Sequence, residues 1–106
     1  MPKYLFQGSY TATGAAGLRI EGGTGRRAAT EQLVKSLGGT VEAYYFTFGK
    51  DDFLLIADLP GNVQAAAGSL VGSSSGAISV RTTPLLTPEE VDAAAKQSAT
   101  YRPPGA

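Results

Sequence analysis

A chain of 106 residues with nine basic and nine acidic side chains, and a pI of about 6.2, lacks the cationic footprint by which proteins displace counterions from duplex nucleic acid. It contains neither cysteine nor histidine, which excludes disulfides, thiolate nucleophiles, zinc ribbons, His-ligated metals and Ser-His or Cys-His catalysis. The length is that of one domain, residues 1–106, able to bury a core unaided.

Residues 4–10 open the chain as a first strand. Tyr4, Phe6, Gly8 and Tyr10 share one face, and Leu5, Gln7 and Ser9 the other. Residues 11–25 hold five glycines, at 14, 17, 22, 23 and 25, which suits a short irregular or broken helix. From 24 to 37 the period becomes helical, with Ala29, Leu33, Val34 and Leu37, and Gly38-Gly39 supplies the stop. Residues 41–48 and 53–59 read as a second and third strand joined by a tight hairpin at Gly49-Lys50-Asp51-Asp52. Alternation groups Val41, Ala43 and Tyr45 on one face of the second strand, with Tyr44, Phe46 and Phe48 on the other.

Pro60-Gly61-Asn62 leads into a helix whose apolar stripe is Val63, Ala66, Ala67, Leu70 and Val71, broken from Ser73 onward. Residues 78–83 form a fourth strand, with Ile78, Val80 and Thr82 toward the helices and Ser79, Arg81 and Thr83 opposite. Thr87-Pro88-Glu89-Glu90 is a capping box for a last short helix, followed by a Pro-rich tail, together spanning about 87–106. The order strand, helix, strand, strand, helix, strand is the ferredoxin-like βαββαβ plan: an antiparallel α+β sheet with its helices on one face. The second and third strands are apolar on both faces, so the helix-free face predicts a cover, most economically the same sheet of a second copy. The N-terminus lacks the apolar region of a signal peptide, and no run approaches the ~20 apolar residues of a membrane span. A cytoplasmic homo-oligomer is expected, with no nucleic-acid or membrane partner and no cofactor.

Two motif matches fail on context. Gly72-Ser73-Ser74-Ser75-Gly76 fits the nucleophile-elbow pattern, but a helix precedes it, a strand follows, and no histidine exists to take the proton. Gly23-Thr24-Gly25-Arg26-Arg27-Ala28 fits a loose dinucleotide fingerprint but does not follow a strand; it reads as a turn with a solvated arginine pair. Asp51 and Asp52, being adjacent, point to opposite sides and form no proton-sharing dyad.

Lys3-Tyr4, Tyr10-Thr11 with Gly14, Arg26-Arg27, Gly38-Gly39, Gly49 with Asp52, and the run from Thr82 to Pro88 resemble the GYD-domain family of small bacterial proteins over nearly the whole chain. The sequence departs from that family at Asp51, where the family's name leads one to expect tyrosine. The resemblance implies a relative of the dimeric α/β barrels, in which two ferredoxin-like sheets face each other. The family is of unknown function, so the chemistry stays open.

The functional expectation is a small-molecule-binding domain, with a cavity at a sheet–sheet or sheet–helix interface of a homo-oligomer. The ligand class expected is a small organic acid or an aromatic compound. Alternatives are a cofactor-independent isomerase or oxygenase of the dimeric-barrel type, and a purely structural module. Candidate ligand-binding residues are Arg81, Tyr44, Asp52, Gln7 and Ser9. Arg81 is the sharpest of them, since a guanidinium in a sheet interior needs a partner, expected to be Glu42, Asp58 or an anionic ligand. Asp52 stands by family resemblance.

Overall fold

The computed structural model describes all residues, 1–106. In chain order the elements are β1 (Lys3–Tyr10), α1 (Ala12–Glu21), α2 (Gly23–Ser36), β2 (Thr40–Phe46), β3 (Phe53–Asp58), α3 (Asn62–Ser74), β4 (Ile78–Leu85) and α4 (Pro88–Ala95). The four strands form one antiparallel sheet in the order β2-β3-β1-β4, consistent with the ferredoxin-like plan. No helix is long and apolar enough to cross a membrane.

The glycine-rich stretch after β1 is two helices. Thr11 caps α1 by accepting the Gly14 N–H, and the helix runs unbroken to Glu21. Gly22, at φ +80°, then turns the chain into α2, a conformation that residues with a Cβ rarely adopt. At the other end of α1, Gly14 lies so close to the Ala77 carbonyl that an added Cβ would overlap it. Thr11 reinforces that contact, its N–H donating to the Ala77 oxygen and its hydroxyl to the Gly76 oxygen.

The core lies between the sheet and the helices and is small. It comprises Tyr4 and Phe6 of β1, Phe53, Leu55 and Ala57 of β3, with Leu59, Val34 and Ala65. Strand alternation explains the sheet's share of it, because these residues occupy one face. Two sequence expectations change here. A bulge between Val41 and Ala43 places Val41 on the helix face with Tyr44 and Phe46, rather than with Ala43 and Tyr45. Phe48 lies beyond the end of β2 and is fully exposed.

The expected apolar stripe of α3 is also corrected. Val63 and Leu70 face outward at 78% and 70% exposure, and the helix turns Ala65, Gly68 and Gly72 toward the domain. Small residues permit the close approach: Cβ atoms at Gly72 and Gly68 would stand 2.9 Å from Ile78 and 3.4 Å from Leu37. The helix continues through Ser73 to Ser74, two residues into its expected break. Helix α4 has its full capping box, with reciprocal bonds of 3.0 and 3.1 Å between Thr87 and Glu90, yet none of its residues is buried.

Candidate functional site

The glycines and alanines of α1 and α3 leave the helix layer short of volume, and a cavity of about 530 Å³ opens between it and the sheet. Its walls are mostly apolar: 14 of 23 lining residues are hydrophobic, among them Phe6, Phe53 and Leu55 from the sheet and Leu33 and Val34 from α2. That size and lining match ordinary small-molecule pockets. One part is polar, where Tyr10 of β1, Tyr44 of β2, Glu21 of α1 and Arg26 of α2 converge. Arg26 and Glu21 pair across the Gly22 turn at 3.6 Å, each about one-third exposed, which places them at the rim.

The two tyrosine rings are held by aromatic neighbours. Tyr10 tilts against Phe53 with centroids 5.4 Å apart, and Tyr44 against Phe46 at 5.3 Å. Burial raises the Tyr10 hydroxyl above its ordinary ionisation range, and the Tyr44 hydroxyl beside it raises it further. It therefore remains a protonated donor throughout the physiological range.

Asp52 fixes the backbone beneath Tyr10. Its N–H donates to the Gly8 oxygen at 2.8 Å, and its carboxylate accepts the Tyr10 N–H at 2.9 Å, extending the β1–β3 ladder by one rung. The Asp52 carbonyl accepts the Thr47 N–H at 2.7 Å, closing the β2–β3 hairpin. This is a positioning role.

The five candidates from sequence separate into three places. Tyr44 faces the cavity, and Asp52 sits at the end of the sheet. Gln7, Ser9 and Arg81 lie on the opposite, helix-free face, where Gln7 is in register with Arg81 and Ser9 with Ser79. The expected partners of Arg81 are engaged elsewhere. Lys3 takes Asp58 at 2.8 Å and Glu42 at 3.2 Å, and these carboxylates raise its ionisation range. Arg81 instead meets Asp51, through contacts of 2.9 and 3.2 Å to its two oxygens. Asp51 and Asp52 engage different partners, the Arg81 guanidinium and the Tyr10 N–H.

Tyr10, Glu21 and Arg26 were not candidates on sequence grounds. The one signal for Tyr10 is that it continues the face of the buried residues 4, 6 and 8, which puts a half-buried hydroxyl beside the core. The Gly72–Gly76 segment ends α3 and bends into β4, and Ser74, the central serine of the pattern, lies in the last turn of the helix with its hydroxyl donating to the Val71 oxygen at 3.0 Å. The Gly23–Ala28 segment is the first part of α2 and follows a helix.

The family model described as the GYD domain matches residues 4–95 of the chain. No curated protein and no solved structure matches it.

Proposed function

We propose that this chain, which belongs to the GYD domain family, is a small-molecule-binding protein whose ligand occupies the sheet–helix cavity. The observation that carries this reading is the cavity itself: about 530 Å³, mostly apolar walls, and polar side chains gathered in one part. A chain whose only purpose is to fold or to pair would gain stability by filling that space, since empty apolar volume costs packing contacts.

The protein acts as a homo-oligomer in this reading. The helix-free face carries Leu5, Leu54, Ile56 and Tyr45 on three neighbouring strands, and Tyr45 is 64% exposed. A second copy of the same face is a cover of matching apolar character. Arg81, Gln7 and Ser9 would then line the space between copies, and Tyr44 and Asp52 serve the cavity within each.

Native mass spectrometry of protein purified directly from cells tests the reading, with a Gly17→Trp variant for comparison. Gly17 lines the cavity, and a Cβ there has open space around it. Wild type is expected to carry a small-molecule mass adduct, or to be stabilised by small apolar compounds, and the variant to lose that response. Equal behaviour of the two would sink the assignment to this cavity.

A further inference from the structure

We infer that the cavity takes an amphipathic acid, its apolar body inside and its carboxylate at the rim on Arg26. This rests on the ligand-binding reading above and keeps the organic acid expected from sequence, on a different arginine.

The lining sets the two halves of such a ligand. Among the residues around the cavity only Glu21 and Arg26 carry charge, and both stand at its rim. The walls formed by Phe6, Phe53, Leu55 and Leu33 offer nothing to a charged group and suit a hydrocarbon or aromatic body. A carboxylate at the rim stays partly hydrated, as the one-third-exposed Arg26 does, and so avoids the cost of full burial.

Arg26 has unused capacity there. Its contact with Glu21 is a single approach of 3.6 Å, longer than a hydrogen bond, whereas Arg81 meets Asp51 through two contacts of 2.9 and 3.2 Å. The Arg26 carbonyl accepts from Thr30, but its guanidinium donates no hydrogen bond within the fold. A ligand carboxylate can take two of the fork's N–H groups at once, the geometry that makes such pairs strong. Glu21 is a poor rival. It ends α1, where the last carbonyls of the helix disfavour negative charge.

The sign of the ligand's charge follows from the turn as a whole. Residues 19–27 hold Arg19, Arg26 and Arg27 against Glu21 alone, although Arg27 also meets Glu31 one turn further on. The first turn of α2 has no acidic side chain, and Gly22 before it supplies no side-chain cap. The positive end of that helix therefore adds to the arginines. An amine would face this excess of positive charge, and a carboxylate is drawn to it.

Three ligands with one body separate the possibilities: 4-phenylbutyrate, 4-phenylbutanol and 4-phenylbutylamine, titrated calorimetrically into the full chain at low salt and about pH 7, where acid and amine are both ionised. The variants are Arg26→Met, Glu21→Gln and the cavity-filling Gly17→Trp, each checked by its melting curve. Wild type should hold the acid about tenfold more tightly than the alcohol, and the amine most weakly. Arg26→Met should bind acid and alcohol alike, near the alcohol's wild-type affinity. Glu21→Gln should bind the acid several-fold more tightly than wild type, because the rival carboxylate is gone. Gly17→Trp should bind none of the three. A wild type that holds the alcohol or the amine as tightly as the acid, or an acid preference that survives Arg26→Met, overturns the anionic class. The cavity reading stands in that case as long as Gly17→Trp abolishes binding. Binding that Gly17→Trp leaves intact, or no binding at all, removes the cavity reading and this inference with it.

Discussion

The carboxylate of Asp51 and the guanidinium of Arg81, thirty positions apart in sequence, meet through two contacts of 2.9 and 3.2 Å at the helix-free face. The fork geometry is the favourable one for such pairs, but Arg81 is 55% exposed and solvent screens the attraction. A double-mutant cycle with Asp51→Asn and Arg81→Met, read by chemical denaturation, should give a coupling of about 0.5–1 kcal/mol that weakens with salt. A salt-independent coupling of ~2 kcal/mol or more would mean that this face is covered and the pair desolvated in solution.

Tyr45 tests the same face from its apolar side. It is 64% exposed within one copy, so Tyr45→Glu should leave the fold intact. In a facing-sheet assembly the new carboxylate would be buried without a partner, costing several kcal/mol, roughly, and splitting the assembly. Light scattering should show a multimeric wild type and a monomeric, still cooperatively melting variant. A monomeric wild type would remove the assembly.

Two glycines of α1 should respond in opposite directions. Gly17→Ala adds a methyl into open space mid-helix and should stabilise by roughly 0.5–1 kcal/mol. Gly14→Ala drives a methyl into the Ala77 carbonyl and should destabilise by about 2 kcal/mol or more, because backbone on both sides must move. Paired denaturation curves decide this; similar effects at both sites would mean that α1 does not sit on the turn before β4.

Alkaline pH should destabilise the fold through Tyr10. Its folded-state ionisation is raised, so above about pH 10 the unfolded chain loses a proton that the folded chain keeps, and stability falls as pH rises. Lys3 acts in the same direction, since Asp58 and Glu42 raise it and the folded chain retains its proton longer. Melting curves from about pH 8 to pH 11 should show the wild type falling more steeply than Tyr10→Phe. Parallel curves would contradict a raised ionisation of the half-buried Tyr10.

Thr87→Ala removes a cap bond, ordinarily a loss of about 1 kcal/mol for the helix concerned. Since α4 buries nothing against its own domain, that loss should not reach the global unfolding transition. The melting temperature should stay unchanged while amide exchange within α4 accelerates. A clear drop in melting temperature would place α4 against a packed surface in solution.

Much of the sheet was legible because alternation is strict where one face is buried: Tyr4, Phe6, Ile78 and Val80 all lie where period two puts them. Val41 was misassigned because one extra residue at Glu42 reverses the register upstream of it, and no side chain announces a bulge. In α3, helical periodicity pointed to Val63 and Leu70 as the inward side. Close packing against Ile78 and Leu37 admits only small residues, so the glycines face in and the branched residues out. The site was harder to see for a related reason. Tyr10, Glu21, Arg26 and Tyr44 come from four elements far apart in sequence, and Glu21 and Arg26 flank the Gly22 turn between α1 and α2. Arg81, the conspicuous charge in a strand, found its partner in the hairpin residue that departs from the family pattern.

The unpacked C-terminal segment has a hydrodynamic consequence. With it, the chain measures 57 × 32 × 23 Å and has a radius of gyration of 16.9 Å, where a compact chain of this length would have about 13 Å. By the same scaling, 16.9 Å is the radius of a compact protein of about 210 residues, close to two copies of this sequence. A gel-filtration column calibrated with compact standards would therefore overstate the mass of a single chain. Scattered light or sedimentation equilibrium, which do not depend on shape in this way, should supply the subunit count.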